Sequence, residues 1–403
     1  MPVAVPENLI PLDNILPDEP LLMMGAGPVP IPHRVAQANS IVINHLGDTM
    51  NQVIEQVKSM SRYVFQTHSS RILGVAGPGS AAMEMAVVNI VRPRMKVLSI
   101  CNGFFSNRLS EMAERVEAEV IRLVVPDGET ADPDQVRQAM DEYKPDVLTL
   151  VQGETSNTVL NRHLPDIARI ARDRDCLVIV DAVCTLSTMP FRMDAWGVDA
   201  VITGGQKGLA SIPGVSLVAF SERAWKHITT QSDQLRHWCL DAVLANNFWN
   251  EKSYHYTAPV SGVLALHEAL RLICRETLEV RFERHLRCST ALQSGIESMG
   301  LSLFTRPEAR LNSVVGINVP EGVESRRLLT HMSGLHRVEI SGSFGLNIVR
   351  IGQMGEQSRS HHIFRTLHAL GASLFALGAS VDIPAGVAAL ESTLDAYIFD
   401  ESG

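Results

Sequence analysis

Short apolar runs recur along the first half of the chain, each followed by a polar turn and a stretch with helical character. Continuous apolar runs without polar alternation are typical of parallel strands that are covered on both faces. Strands are predicted at residues 96–101, 119–125, 146–151, 176–180, 199–203 and 215–220. The repetition of strand, turn and helix predicts an α/β fold, in which a mostly parallel sheet carries helices on both faces.

Apolar residues at helical spacing predict the helices around this sheet. Between residues 48 and 66 such residues form one core-facing stripe: Met50, Val53, Ile54, Val57 and Met60. Asp132 is the predicted N-cap of a helix that ends near Tyr143. A further amphipathic helix contains Leu264, Leu270 and Ile273, and it should lead out of the sheet-bearing domain.

The pattern changes from about residue 281. Helical residues up to 299, strands at 313–319, 338–340 and 347–351, and a helix over 360–377 indicate a smaller α+β domain. A chain of 403 residues is long enough for two domains. We therefore predict a large domain over residues 21–280 and a small one over 281–403. Residues 1–20 are rich in proline and lack periodicity, which predicts an extended arm.

Composition narrows the class of protein. The net charge is −9, which argues against a nucleic-acid surface because such a surface is basic. No run of 18 apolar residues and no basic leader appear, so we expect a cytoplasmic protein that does not enter a membrane. The six cysteines form no CxxC pair and the histidines no HExxH motif, so no structural metal is predicted.

One acid and one lysine stand at the ends of two neighbouring predicted strands. Asp181 follows residues 176–180, and Lys207 follows residues 199–203 through two glycines. A right-handed connection would bring both to the same edge of the sheet, where open α/β sheets bind ligands. Such a pair suits pyridoxal phosphate chemistry: the lysine serves as Schiff-base nucleophile and the acid keeps the pyridine nitrogen protonated. Taken alone, an acid after an apolar strand is often just a helix cap, and a lysine after glycines is usually a solvated loop charge.

The surrounding sequence resembles a known family. The segment VDAVCTLSTMPFRMDAWGVDAVITGGQKGLASIPGVSLVAFSERAW is similar to the cofactor-lysine region of class V aminotransferases of fold type I. The resemblance extends from about residue 21 to 377 and is strongest to the alanine-glyoxylate, serine-glyoxylate and ureidoglycine-glyoxylate branch. It implies pyridoxal 5′-phosphate as cofactor, with Lys207 and Asp181 as catalytic residues. It also implies a homodimer, across which the N-terminal arm packs.

A glycine-rich turn, GPGS at residues 77–80, opens an alanine-rich helix. The free N–H groups and the dipole of such a helix start suit a phosphate, although ordinary turns have the same composition. The resemblance makes this turn the phosphate-binding loop, with Gly79, Ser80 and Gln206 as ligands. The family commonly has serine or threonine in place of Pro78, and proline offers neither hydroxyl nor N–H. One phosphate contact is therefore predicted to be lost.

The resemblance also assigns residues around the cofactor ring. Phe105 would stack on the pyridine ring, although Phe104 and Phe105 could equally belong to the core. Val183 would pack against the opposite ring face, and Thr155 would hydrogen-bond the phenolic oxygen. Asn157 and Thr158 depart from the family's usual Ser-Thr-Gly continuation.

Two further sets of residues concern the neighbouring subunit and the substrate. Tyr254 and Thr257 match positions that reach the neighbouring subunit's cofactor phosphate, and otherwise they are an ordinary helix cap. Gly27 belongs to a loop expected at the substrate end. Arg350 lies between apolar residues in a predicted strand, where arginine is costly unless it meets an anion, and its planar fork matches a carboxylate. The family's substrate-carboxylate arginine has this position; a structural ion pair is the alternative.

These expectations describe the transamination of a small amino acid, such as alanine, serine or ureidoglycine, with glyoxylate or pyruvate as acceptor. Pyridoxamine-pyruvate transamination is the main alternative because of Pro78, but the second arginine of that relative is missing from residues 342–345. A cysteine desulfurase would need a mobile cysteine, whereas Cys184 is expected to be packed. A silent binding protein would be expected to lose Lys207, Asp181 or Arg350. The sequence does not identify the amino donor.

Overall fold

The structure is a computed structural model, and it describes residues 3–6, 8–231 and 237–399. The strands are β1 (Leu22–Met23), β2 (Ile72–Ala76), β3 (Lys96–Cys101), β4 (Glu119–Val124), β5 (Val147–Val151), β6 (Gly153–Glu154), β7 (Val159–Leu160), β8 (Leu177–Asp181), β9 (Ala200–Gly204), β10 (Val215–Phe220), β11 (Val314–Asn318), β12 (Val338–Glu339), β13 (Ser341–Gly342) and β14 (Ile348–Gly352). The predicted sheet strands are thus present, with ends that differ by at most a residue.

The helices alternate with the strands in the first half of the chain. They are α1 (His33–Asn39), α2 (Asp48–Phe65), α3 (Gly79–Ile90), α4 (Phe104–Arg115), α5 (Pro133–Tyr143), α6 (Leu164–Arg172), α7 (Met193–Trp196), α8 (Glu222–Thr230), α9 (Ala242–Trp249), α10 (Val260–Glu276), α11 (Leu278–Ser298), α12 (Ser325–His336), α13 (Ser360–Ala376) and α14 (Ile383–Phe399). Within the described ranges, no helix is long and apolar enough to cross a membrane.

The main sheet is mixed but mostly parallel. Its seven strands run in the order β2-β10-β9-β8-β5-β3-β4. Only β10 is antiparallel to its neighbours, β2 and β9. Every residue of β5, β8 and β9 is buried, because helices cover both faces of the sheet. This arrangement confirms the predicted α/β fold class.

The C-terminal part has a separate apolar core. The antiparallel sheet β11-β14-β13 shares a cluster of buried side chains with α11, α13 and α14, and this cluster is distinct from that of the main sheet. The strand predicted at residues 338–340 is present as β12. It does not join this sheet but pairs in parallel with β1, from the N-terminal part of the chain. The arm that precedes β1 is exposed along residues 8–20 and has one short 3₁₀ turn at Leu12–Asn14.

Candidate active site

Asp181 and Lys207 lie at one edge of the main sheet. Asp181 is the last residue of β8, and Lys207 follows the end of the adjacent parallel strand β9. Both side chains line one cavity, which is bounded by Gly79, Ser80, Met83, Phe105, Val151, Gly153, Thr155, Asp181, Val183, Cys184, Gln206 and Lys207. Neighbouring βα units therefore bring the acid and the lysine together.

Burial controls the charge of Asp181. Its side chain is 4% exposed, and Oδ1 accepts a hydrogen bond from the Val183 N–H at 2.8 Å. Burial raises the pKa of Asp181 to about 7; the Val183 bond lowers it, the charge of Glu154 raises it, and the charges of Lys207 and Arg108 lower it. A cationic partner at this carboxylate would restore its ionised form.

Lys207 is held against the loop that precedes α1. Its Nζ donates a hydrogen bond to the Ala26 carbonyl, and burial in the cavity lowers its pKa. The neighbouring charge of Arg350 lowers that pKa further, whereas Cys184 and Asp181 raise it. A Cβ atom on Gly27 would lie 2.6 Å from Nζ, so this glycine leaves the space that the lysine side chain occupies. The lowered pKa favours the neutral amine, which is the nucleophilic form.

The turn at residues 77–80 opens α3 beside the lysine. Pro78 is the N-cap residue and provides no side-chain cap. A Cβ on Gly79 would lie 2.9 Å from Val183 Cγ2, so the backbone here closely approaches the segment after β8. Ser80 Oγ accepts a hydrogen bond from Arg108 Nη1 at 3.0 Å. Gln206 Oε1 is buried and has no hydrogen-bond partner among the described residues, so a donor is lacking at this end of the cavity.

Glu154 organises the opposite wall, and the sequence reasoning missed it. This fully buried carboxylate accepts hydrogen bonds from the N–H groups of Phe105 and Ser106 at the start of α4. Its other oxygen accepts from the N–H and the hydroxyl of Ser156. Four donors therefore satisfy one buried charge. The only sequence signal was an acid in the polar turn that follows a buried strand.

Arg350 on β14 lies behind Thr155. Its side chain is 6% exposed; Nε donates to the Gly342 carbonyl at 2.8 Å, and Nη1 donates to the Thr155 carbonyl at 2.7 Å. No acidic side chain pairs with it within the described residues, and burial lowers its pKa to about 10. This arrangement does not support the structural ion pair. Its Nη2 has no hydrogen-bond partner in the described part of the chain, so it is available to an anion.

An aromatic cluster connects the two parts of the chain beside this arginine. The Phe344 ring lies over the guanidinium of Arg350 at 5.6 Å and stacks on Phe104, with ring centroids 4.3 Å apart. Phe104 packs edge-on against Phe105, which lines the cavity. Phe105 is therefore at the cavity wall, whereas Phe104 is 40% exposed and does not belong to the core. No motif in the sequence indicated a role for Phe344.

The remaining predicted residues occupy different surroundings. Tyr254 is 58% exposed, Thr257 is also exposed, and neither lines the cavity of its own chain. Cys184 lines the cavity but is 3% exposed, and its Sγ donates to the Gly153 carbonyl. Burial raises the pKa of this thiol, which is unfavourable for a reactive thiolate. Within the described ranges, no group of three His, Cys, Asp or Glu side chains is placed to hold a metal.

The cavity has the donors and the space that pyridoxal phosphate requires. The N–H groups of Gly79 and Ser80, which donate to no residue within the described ranges, stand at the start of α3, and the buried Asp181 carboxyl and Lys207 line the same cavity. The close approach at Gly79 leaves a cradle that any larger residue would fill. The residues present therefore fit this cofactor.

Comparison with known proteins agrees with this assignment. Residues 32–347 match the family model Aminotransferase class-V. The chain is 32% identical over 361 residues to alanine–glyoxylate aminotransferase of Drosophila melanogaster, covering 87% of this chain and 92% of that protein. The crystal structure of ureidoglycine-glyoxylate aminotransferase from Bacillus subtilis superposes with a TM-score of 0.92 at 29% identity, covering 94% of this chain and 99% of the other. Pyridoxamine-pyruvate aminotransferase from Mesorhizobium loti shares the fold, with a TM-score of 0.90 at 24% identity over 95% of this chain and 99% of that one.

The chain thus has the fold of the fold type I, pyridoxal phosphate-dependent aminotransferases, and its acid and lysine share one cavity within that fold. More narrowly, the chain belongs to the class V aminotransferases. It is a transaminase, and the family resemblance read from its sequence is confirmed.

Proposed function

We propose that this transaminase transfers the amino group of a small amino acid, such as alanine, serine or ureidoglycine, to glyoxylate or pyruvate. The observation that carries the proposal is that Asp181 and Lys207 share one cavity, with Arg350 hydrogen-bonded to its wall at Thr155. Relatives named for glyoxylate support the choice of acceptor. Amino-acid and oxo-acid substrates both carry a carboxylate, which suits an arginine without an acidic partner.

Each residue has a definite task in this reaction. Pyridoxal 5′-phosphate, when bound to Lys207, supplies an electron sink and carries the amino group between the two substrates. Lys207, with its lowered pKa, removes the proton from the substrate Cα and later returns one as general acid. The Asp181 carboxylate would hold the proton on the pyridine nitrogen of the bound cofactor, whose positive charge would keep the acid ionised. Arg350 orients the substrate carboxylate so that the Cα–H bond faces the lysine.

The walls of the cavity complete this arrangement. Phe105 and Val183 line it from different elements, α4 and the segment after β8, and they would enclose the pyridine ring between them. Thr155 is placed on the same wall, where its hydroxyl would reach the phenolic oxygen. These contacts hold the ring in position and exclude water from the reacting carbon.

The test is an absorbance titration of the purified protein with pyridoxal phosphate, followed by L-alanine and then glyoxylate. Wild type should develop a visible band that bleaches with alanine and returns with glyoxylate, and the steady-state kinetics should be ping-pong. Lys207→Ala should not show the band, whereas Lys226→Ala, which removes an exposed lysine from α8, should behave as wild type. Rates with alanine, serine and ureidoglycine that do not exceed the rate with a bulky or ω-amino donor would count against a small donor.

Pyridoxamine-pyruvate transamination is the second candidate, favoured by Pro78 at the start of α3. Against it, residues 342–345 lack the second arginine that the resemblance to that relative would place there. Adding free pyridoxal, pyridoxamine and pyruvate to the same protein decides between the two. A band that forms with pyridoxal but not with pyridoxal phosphate would establish the second function and exclude the first.

We also infer a homodimer whose active sites are completed by Tyr254 and Thr257 of the opposite subunit. Both side chains are exposed and lie outside their own chain's cavity, as a residue that serves a neighbour requires. The exposed arm carries apolar residues that a partner would cover: Val3, Val5, Leu9, Ile10, Leu12, Ile15 and Leu16. Light scattering should give twice the mass of the chain. A monomer with full activity would disprove the proposal.

A further inference from the structure

Arg108, on α4, places a positive charge beside the start of α3. The reaction proposed above assigns no role to this residue. Its Nη1 lies 3.0 Å from Ser80 Oγ, in the first turn of that helix. In the described part of the chain no carboxylate forms an ion pair with it. An arginine beside the positive end of a helix dipole is unfavourable on its own, so the place is prepared for an anion.

The local backbone points to the same place. Within the described ranges, the N–H groups of Gly79 and Ser80 make no hydrogen bond, since the first bond of the turn is Ala81 N–H to the Pro78 carbonyl. The free N–H groups of α3 and the guanidinium carried by α4 therefore converge on one place, and no acceptor binds these two N–H groups among the described residues.

Two aromatic rings fix the orientation of the guanidinium. The Arg108 Cζ atom lies 4.9 Å from the centroid of the Phe104 ring and 5.1 Å from that of Phe105. Contact with aromatic faces restrains the long side chain and keeps its planar fork facing Ser80. A fork held in this way can give two parallel hydrogen bonds to a phosphate, which a lysine cannot.

We propose that Arg108 binds the phosphate of the cofactor and supplies the contact that Pro78 withdraws, so that this chain selects the phosphorylated cofactor. The proposal rests on the function proposed above, and it extends the phosphate site to a residue on α4. It also explains how a loop without its usual hydroxyl can serve a phosphorylated cofactor. The strength of one charge-assisted hydrogen bond, about 1.5–3 kcal/mol, corresponds to a roughly 10- to 150-fold change in affinity.

The test compares the dissociation constants of pyridoxal phosphate and free pyridoxal, measured from the absorbance of the bound cofactor at equilibrium. Arg108→Met keeps an apolar stem against the rings and removes the charge. This variant should raise the dissociation constant of pyridoxal phosphate about 10-fold or more and change that of pyridoxal less than about 2-fold. The dissociation constant of pyridoxal phosphate for Arg108→Lys should lie between those for Arg108→Met and wild type. Inorganic phosphate should compete with pyridoxal phosphate in wild type and much less in Arg108→Met.

Arg115→Ala is the matched control, because it removes an exposed arginine from the last turn of the same helix. It should bind both cofactors as wild type does. Equal weakening of both cofactors by Arg108→Met would overturn the proposal and show that Arg108 acts only through Phe105. Unchanged dissociation constants of both cofactors in Arg108→Met would also overturn the proposal. So would a wild type that binds pyridoxal more tightly than pyridoxal phosphate. A wild type that binds neither cofactor would instead refute the proposed function itself.

Discussion

The carboxylate of Glu154 caps the helix that carries Phe105. Its Oε2 accepts the Phe105 N–H at 3.1 Å and the Ser106 N–H at 2.9 Å, and its charge adds to the burial that raises the pKa of Asp181. A Cβ on Gly103 would lie 2.4 Å from Glu154 Cγ, so a glycine precedes the helix to admit this side chain. One residue thus positions the ring-stacking wall and influences the charge of the acid.

Glu154→Gln should therefore destabilise the protein and loosen the cofactor. The substituted amide turns one acceptor into a donor that faces the N–H groups of α4. We expect a loss of about 2 kcal/mol in the free energy of unfolding, measured by urea denaturation. Glu119→Gln, at an exposed position of β4, should change stability by less than about 0.5 kcal/mol. Unchanged stability in Glu154→Gln would show that the cap is dispensable.

The raised pKa of Asp181 predicts how stability depends on pH in the cofactor-free enzyme. The folded protein holds this proton up to about pH 7, whereas the unfolded chain releases it near pH 3.8. Stability should therefore fall as pH rises through this window, by up to about 1.4 kcal/mol per pH unit. Asp181→Asn has no such proton and keeps the acceptor for Val183. The free energies of unfolding of wild type and Asp181→Asn, measured as a function of pH, should therefore differ least at acid pH. Their difference should grow as the pH rises and become constant above about pH 7. A difference that does not change with pH would refute the assignment.

The elements of the sheet were predictable because their physics is local. Continuous apolar runs identified β8 and β9, and the rule for parallel connections placed Asp181 and Lys207 at one edge. Contacts between distant segments were not predictable in this way. Glu154 meets a helix that begins at Phe104, and Phe344 meets that same residue from the C-terminal part. Helix α14 was missed because its apolar residues are spread almost uniformly around the helix, whereas α12 was missed although its pattern is as amphipathic as that of α10.

Gly27→Ala should displace the lysine rather than unfold the protein. The new Cβ would lie 2.6 Å from both Cδ and Nζ of Lys207, and the flexible side chain would have to move away. We expect the visible band of bound cofactor to weaken strongly in an absorbance titration. Gly322→Ala is the control: its φ is also positive, at +82°, but no atom lies within 4 Å of the added methyl. Both variants share the strain of a positive φ, so only the first should lose the band.

Arg350→Lys should weaken the binding of both substrates without changing the affinity for the cofactor. Lysine keeps the charge but cannot donate to Gly342, Thr155 and a carboxylate together. The Michaelis constants for the amino acid and the oxo acid should rise about 10- to 100-fold, in proportion to one lost charge-assisted bond. Arg306→Lys, at an exposed position, should have no effect. Equal loss of cofactor affinity and substrate affinity would mean that Arg350 mainly holds the fold.

The stack of Phe104 on Phe344 should couple the two parts of the chain. The rings are nearly parallel, 13° apart, and they come from α4 and from the loop before β14. Removing either ring should cost stability, and removing both should cost less than the sum of the single losses. A double-mutant cycle of Phe104→Ala and Phe344→Ala, measured by urea denaturation, should give a coupling energy of about 0.5–1.5 kcal/mol. Because both rings are at least 40% exposed, a value near zero would indicate that solvent competes fully with the stack and that the contact does not hold Arg350 in place.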